Sequence, residues 1–213
     1  QQYSSGPLNL PIPDGGALSS EIAVSNGPLS IGSVRIQLRI AHTWDADLET
    51  ASKAGVKAVF APGPDFYPEG YRTLVTVPGW KSVLEGEIRP DHFDGVTSVV
   101  AKLFLSVEPD IAVFGQKDAQ QALLIRRMVR DLDFGLKLVV SPTVRESDGL
   151  ALSSRNRYLS ESDRKRALVI SRALRASVSA WESGERDSRR ILSAGKAELA
   201  ADAPDSVDYF TLL

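Results

Sequence analysis

Val96, Val99, Val100, Leu103, Phe104 and Val107 fall at i, i+3, i+4, i+7, i+8 and i+11, which places them on one face of a helix beginning near Gly95. Pro109 stops that helix, and the apolar run over 111–114 that follows has the character of a buried parallel strand. The alternation recurs on both sides. Upstream, residues 44–54 predict a helix ending at Gly55, with a strand over 56–60 closed by Pro62. Downstream, a helix over about 118–132 is expected to bury Ile125, Met128, Val129 and Leu132, and 136–140 is the next strand. Helix, strand, helix, strand implies an α/β fold: a doubly wound parallel sheet with right-handed crossovers.

Beyond Pro142 the pattern turns mainly helical. Ser160, with Asp163 three residues on, predicts a capped helix running towards Trp181, and a second helix is expected over about 187–200. Residues 207–213 read as a strand with no partner strand after it, so a smaller, incomplete α+β domain is expected over 144–213. The first 42 residues differ from the rest. Gly, Pro, Ser and Asn crowd 1–33, and only 34–40 alternates enough to suggest a short strand. The expected organisation is an atypical segment over 1–42, part of a doubly wound domain over 43–143, and the C-terminal domain.

Composition narrows the function. With 25 Lys+Arg against 27 Asp+Glu there is no basic excess for nucleic acid or an anionic membrane, so small molecules or a second copy of the chain are the expected partners. Zero cysteines exclude disulfides and thiolate chemistry. No apolar run reaches the roughly 18 residues of a membrane span, and the cytoplasm is the default compartment.

Two segments carry candidate chemistry. In 113–121, Gly115 follows a strand and precedes Gln116, Lys117 and Asp118 at a helix start. Ligands of doubly wound sheets bind beyond the strands' carboxyl ends, where a glycine lets backbone approach a phosphate, the helix N-terminus contributes about half a positive charge and Lys117 a whole one. If helical, Lys117 and Gln121 share a face; the competing reading is a solvated helix start with Asp118 complementing the dipole. In 144–159, Ser153, Ser154 and Arg155 supply two hydroxyls and a guanidinium able to donate to phosphate oxygens and neutralise a leaving pyrophosphate. The alternative there is an Asp-Gly turn before a capped helix. A third segment, 84–96, holds His92, either a general acid or base or a packed loop residue, and Arg89, which either positions an anion or pairs with Glu85 or Asp91.

These runs, from Leu84-Glu-Gly through Gly-x-Lys-Asp-x-Gln-Gln to Arg-x-x-Asp-Gly-Leu-Ala-x-Ser-Ser-Arg-Asn-x-Tyr-Leu, stand in the order found in the pantothenate synthetase family, and the chain resembles it from about residue 43 to 213. The resemblance implies a Rossmann-like nucleotidylyltransferase domain, a smaller C-terminal domain and a homodimer. It also implies condensation of (R)-pantoate with β-alanine through a pantoyl-adenylate, using ATP and Mg2+ and releasing AMP and pyrophosphate. By motif position Gly115, Gln116, Lys117, Asp118, Val144, Leu152, Ser153, Ser154 and Arg155 line ATP, Gln121 binds pantoate, and Lys117 and Arg155 are the catalytic cations. No protein metal ligand is expected.

One part of the family's pattern is missing. Its N-terminal Met-Gly-Ala-Leu-His-x-Gly-His motif is absent, and Ser30 stands where the pantoate-binding glutamine of a second motif is expected. Residues 1–42 are therefore expected to replace the ancestral segment, for instance through a frameshifted or wrongly started reading frame. The alternative function is that of a catalytically inactive or fragmentary relative retaining at most nucleotide binding.

Overall fold

The computed structural model describes residues 21–25, 33–37 and 44–212. It divides into two compact units, Gln1–Pro142 and Thr143–Leu213.

The first unit opens with two strands in the segment from which little was expected, β1 (Glu21–Ser25) and β2 (Ser33–Gln37). β2 overlaps the predicted 34–40, whereas β1 has no counterpart in the sequence reading. The remainder of 1–43 lies outside the described residues.

Helix α1 (Trp44–Lys53) ends as the sequence predicts. Gly55 takes φ 77°, its N–H donates to Ser52 O at 2.9 Å, and the Val56 N–H donates to Ala51 O at 3.0 Å. Those two bonds satisfy carbonyls that the helix end would leave open. The strand expected over 56–60 does not form as a named element; Ala58 alone has bridge character. A strand exists only through a neighbour's N–H and C=O groups, which local apolar pattern does not supply.

The next helices are short α2 (Glu85–Ile88) and long α3 (His92–Val107), the latter beginning three residues before the expected Gly95. α3 leads through left-handed Glu108 (φ 47°) to strand β3 (Ile111–Gly115). A 3-10 turn (Gln116–Asp118), α4 (Ala119–Asp131) and strand β4 (Lys137–Ser141) complete the unit. β3 and β4 are parallel, paired from Ile111↔Lys137 to Gly115↔Ser141, with α4 as their crossover. The sheet order is β2-β1-β3-β4, with β1 antiparallel to both neighbours. An antiparallel pair therefore extends the parallel one, an arrangement common in large α/β sheets. The fold is α/β and Rossmann-like.

The predicted face of α3 is the core: Val96, Val99, Val100, Leu103 and Phe104 are buried, and Val107 is partly so. Ala112 and Phe114 of β3 meet them, as do Ala122, Ile125 and Met128 of α4. Phe104 sits edge-on to Phe114 and Phe134, with centroids at 6.3 and 5.6 Å. Leu132, expected inside, is exposed, because α4 ends at Asp131 and left-handed Asp133 (φ 51°) turns Phe134 into the core instead. Over the same helix, Thr97 Oγ1 donates to Val75 O at 2.5 Å and Ser98 Oγ accepts from the Val75 N–H at 2.8 Å. Lys102 Nζ lies 4.8, 5.3 and 5.0 Å from the ring centroids of Phe66, Tyr67 and Tyr71. Burial, with Tyr71 beside it, pushes the Tyr67 phenol up to about 12.

In the second unit, α5 (Glu161–Glu182) packs on α6 (Ser188–Ala201). Ser160 caps α5 as expected, accepting from the Asp163 N–H at 3.1 Å while donating to Asp163 Oδ2 at 2.6 Å. Gly195 permits a close approach of the two helices: a Cβ there would lie 2.5 Å from Ser177 Oγ and 2.7 Å from Ala173 O, and would also strike the ring of Phe210. Residues 207–212 form no strand, since no partner strand reaches them among the described residues.

Asp187 caps α6, accepting from the Arg189 N–H at 2.8 Å. Bonds from the Arg189 side chain and backbone hold its carboxyl below the ordinary value, and backbone N–H groups of Asp187 and Arg186 do the same for Glu185. A carboxyl depressed on folding adds stability above its unfolded pKa and loses it as pH falls through the folded one. Asp187→Ala is accordingly expected to lower the melting temperature at pH 7, with the gap to wild type closing below about pH 4. Calorimetric scans of both proteins between pH 7 and 3 check this; a gap independent of pH would assign the effect to something other than the carboxylate.

Candidate active site

The carboxyl end of β3 presents the first candidate group. Gly115 has φ −80° and ψ 135°, and a Cβ there would meet nothing within 4 Å. Backbone conformation does not require glycine at this position, and among the described residues its missing side chain leaves open space at the strand end. Gln116, Lys117 and Asp118 follow as an exposed 3-10 turn, with Lys117 Nζ 3.9 Å from Asp118 Oδ1. Lys117 lies before α4, and Asp118 (φ −97°, ψ 62°) breaks the path into the helix. The helical i,i+4 relation expected between Lys117 and Gln121 is therefore not present; Gln121 belongs to the first turn of α4 and Lys117 to the turn before it. Asp118 makes no side-chain cap bond.

Gln120, beside Gln121, does what the sequence did not reveal. Its Nε2 donates to Trp80 O at 2.7 Å and Val83 O at 2.8 Å, tying the 80–83 turn to the start of α4. That turn continues into Leu84, held at φ 53°, and into α2. Lys81 Nζ meets Asp94 Oδ2 at 2.6 Å and anchors the same turn to α3. Arg89 pairs with Glu85 at 2.8 Å, the structural alternative among those open for it. His92 is mostly buried, tilted against Phe93 at 5.0 Å between centroids, with Nε2 3.8 Å from Glu85. Its place is that of a packed residue at the start of α3. No local signal could have exposed Gln120, because its acceptors lie about 40 residues earlier in the chain.

The second candidate group lies in the Thr143–Leu213 unit. The chain doubles back between Val144 and Leu152: the Leu152 N–H donates to Val144 O at 2.9 Å, Arg145 bridges Ala151, and the Glu146 N–H donates to Leu150 O at 2.8 Å. The bend is the Asp-Gly turn anticipated from sequence, with Gly149 at φ 96° and the Leu150 N–H donating to Asp148 Oδ1 at 3.1 Å. Out of it comes a 3-10 helix (Ser154–Tyr158) capped by Ser153, whose Oγ accepts from the Arg155 N–H at 3.2 Å. Val144, Leu152, Ser154 and Arg155 are exposed and Ser153 is partly so. The segment is the turn that the alternative reading expects, and that turn carries the Ser153 and Ser154 hydroxyls and the Arg155 guanidinium.

A family model described as Pantoate-beta-alanine ligase matches residues 39–213. The chain belongs to that family. Among curated pantothenate synthetases it is 52% identical to that of Acidobacterium capsulatum over 81% of this chain and 58% of the relative. It is 47% identical to that of Moorella thermoacetica over 87% of this chain and 66% of the relative. The chain thus spans about three-fifths of the length of these ligases. The crystal structure of the Thermus thermophilus enzyme matches with a TM-score of 0.72 and 49% identity, covering 76% of this chain and 59% of that one. That of the Francisella tularensis ligase, complexed with beta-gamma ATP and beta-alanine, matches with a TM-score of 0.59 and 31% identity, covering 72% and 59%. No helix among the described residues is long and apolar enough to cross a membrane.

Proposed function

We propose that this chain condenses (R)-pantoate with β-alanine through a pantoyl-adenylate, consuming ATP and releasing AMP and pyrophosphate. The observation that carries the reading is the end of β3, where open space at Gly115 adjoins the Lys117 cation in a chain belonging to the pantoate–β-alanine ligase family. In the proposed reaction a pantoate carboxylate oxygen attacks the α-phosphorus as the bond to pyrophosphate breaks. The β-alanine amine then attacks the acyl carbon, and AMP departs. No side-chain nucleophile is needed; binding, alignment and charge neutralisation suffice.

In this reading Gly115, Gln116, Lys117 and Asp118 receive ATP at the strand end and Gln121 receives pantoate. Val144, Leu152, Ser153, Ser154 and Arg155 are the nucleotide-binding residues of the second unit, with Arg155 countering charge on the departing pyrophosphate. Among the described residues no group of three or more histidine or acidic side chains forms a cage for a cation. Mg2+ accompanying ATP is held largely by phosphate oxygens and water with one or two carboxylates, and Asp118 is an exposed carboxylate at this place. When bound it would screen the phosphate charges. The resemblance to the family supports action as a homodimer, and the cytoplasm is the default compartment expected from the sequence.

A second reading, nucleotide binding without turnover, is favoured by one observation. The chain's two histidines, His42 and His92, stand outside any Met-Gly-Ala-Leu-His-x-Gly-His motif. Pyrophosphate and AMP release from ATP with pantoate, with and without β-alanine, separates the two. Pantoate-dependent release of pyrophosphate supports ligation; ATP binding with no release supports the second reading.

A further inference from the structure

The exposed 153–155 group is displayed by an arch whose own construction centres on one carboxylate. Glu146 Oε1 accepts from Asn156 Nδ2 at 3.2 Å, and Oε2 accepts from Arg164 Nη2 at 2.8 Å. The same Arg164 nitrogen reaches Asp148 Oδ2 at 2.7 Å, and Asn156 Nδ2 also donates to Ala151 O at 3.0 Å. One side chain on the outgoing limb therefore grips a residue inside the 3-10 helix and a residue in the first turn of α5. Between the outgoing limb and the first of those grips lie Leu152, Ser153, Ser154 and Arg155. The glutamate's backbone contributes as well, its N–H bonded to Leu150 O and its C=O accepting from the Gly149 N–H at 2.9 Å.

We infer that Glu146 is a positioning residue that sets the 153–155 hydroxyls and guanidinium for the phosphates of a nucleotide, with Asn156 and Arg164 as the two arms through which it acts. The inference rests on the proposed reading that Ser153, Ser154 and Arg155 meet those phosphates. The physical basis is that donors contribute fully only when held in place beforehand, and a displacement on the ångström scale at such a group has a large effect. Glu146 is 35% exposed and its bonds to Arg164 and Asn156 are shared, so no single contact holds the arch. Removing the carboxylate loosens both arms together, leaving Asn156 only Ala151 O and Arg164 only Asp148, whereas removing Asn156 takes away one arm and leaves the other as it was.

Titration calorimetry on the whole chain with ATP and with adenosine tests this, since adenosine lacks the phosphates. Glu146→Ala is expected to weaken ATP roughly tenfold or more, leaving adenosine within about twofold. Glu146→Gln, which keeps an acceptor for Asn156 and loses the charge facing Arg164, is expected to fall between. Glu146→Ala with Asn156→Ala is expected to lose less than the sum of the two singles, the mark of residues acting through one another. Equal weakening of ATP and adenosine overturns the inference, because it signals loss of fold rather than of phosphate alignment. ATP binding unchanged in Glu146→Ala but weakened in Arg155→Ala overturns it while sparing the nucleotide reading. Binding unchanged in Arg155→Ala removes the reading itself, and the inference falls with it.

Discussion

Lys117→Ala is expected to slow pantoate-dependent pyrophosphate release from ATP by roughly 10²–10³-fold, the loss typical of removing one preorganised group that meets developing charge. Lys117 stands in the exposed turn directly after β3, where it makes a long 3.9 Å ion-pair contact with neighbouring Asp118. A cation so placed is not needed to neutralise a buried partner, and exposed pairs of this kind contribute little to stability. The substitution should therefore leave the unfolding midpoint in urea close to that of wild type while the rate collapses. Single-turnover measurements with saturating ATP and pantoate would separate binding from chemistry. An unchanged rate would take Lys117 out of the reaction and leave the family's motif at this position with only a structural meaning.

Gly86→Ala is expected to have the largest effect on folding, about 3 kcal/mol of stability or more, since overpacking against rigid atoms is among the few severe single-site mechanisms. A Cβ at Gly86 would collide with the backbone carbonyl of Lys81, which cannot rotate away as a side chain would. The chain there is already constrained. The Gly86 N–H donates to Val83 O at 3.0 Å, Leu84 sits at φ 53°, and Gln120 holds the carbonyls of Trp80 and Val83. Gly135→Ala is the control, because a Cβ there meets nothing within 4 Å, and it should change stability by no more than about 0.5 kcal/mol. Urea unfolding of the three proteins decides the matter; a Gly86→Ala protein as stable as wild type would mean that the 80–86 turn yields where the structure has it rigid.

These two residues stand for two kinds of signal. Lys117 was legible as a candidate because a cation and a glycine at a strand end form a local pattern, one that fits a phosphate site and a solvated helix start alike. Gly86 was legible only as a member of a motif. Its reason, a carbonyl five residues earlier folded back against it, depends on a turn that the neighbouring side chains do not announce. The same division runs through the site. Ser153 and Arg155 could be read from their functional groups, whereas Gln120, Glu146, Asn156 and Arg164 could not, since what each does depends on partners brought near by the fold.

By itself the sequence determined the buried face of α3, the stop of α1, the cap of α5, the two strands that flank α4, and the motifs that place the chain in its family. Each of these is written in residues within a turn or two of one another: the apolar stripe of α3, Gly55 behind α1, Ser160 ahead of α5. The tertiary structure decided what depends on distance along the chain. It joined β1 to β3 across more than 80 residues, left 56–60 and 207–212 without a named strand among the described residues, and set Lys117 in a 3-10 turn rather than on the face of Gln121. Periodicity reports which side of a segment avoids water. Pairing, register and the aim of a polar side chain are properties of two segments at once, and only the folded chain brings both into contact.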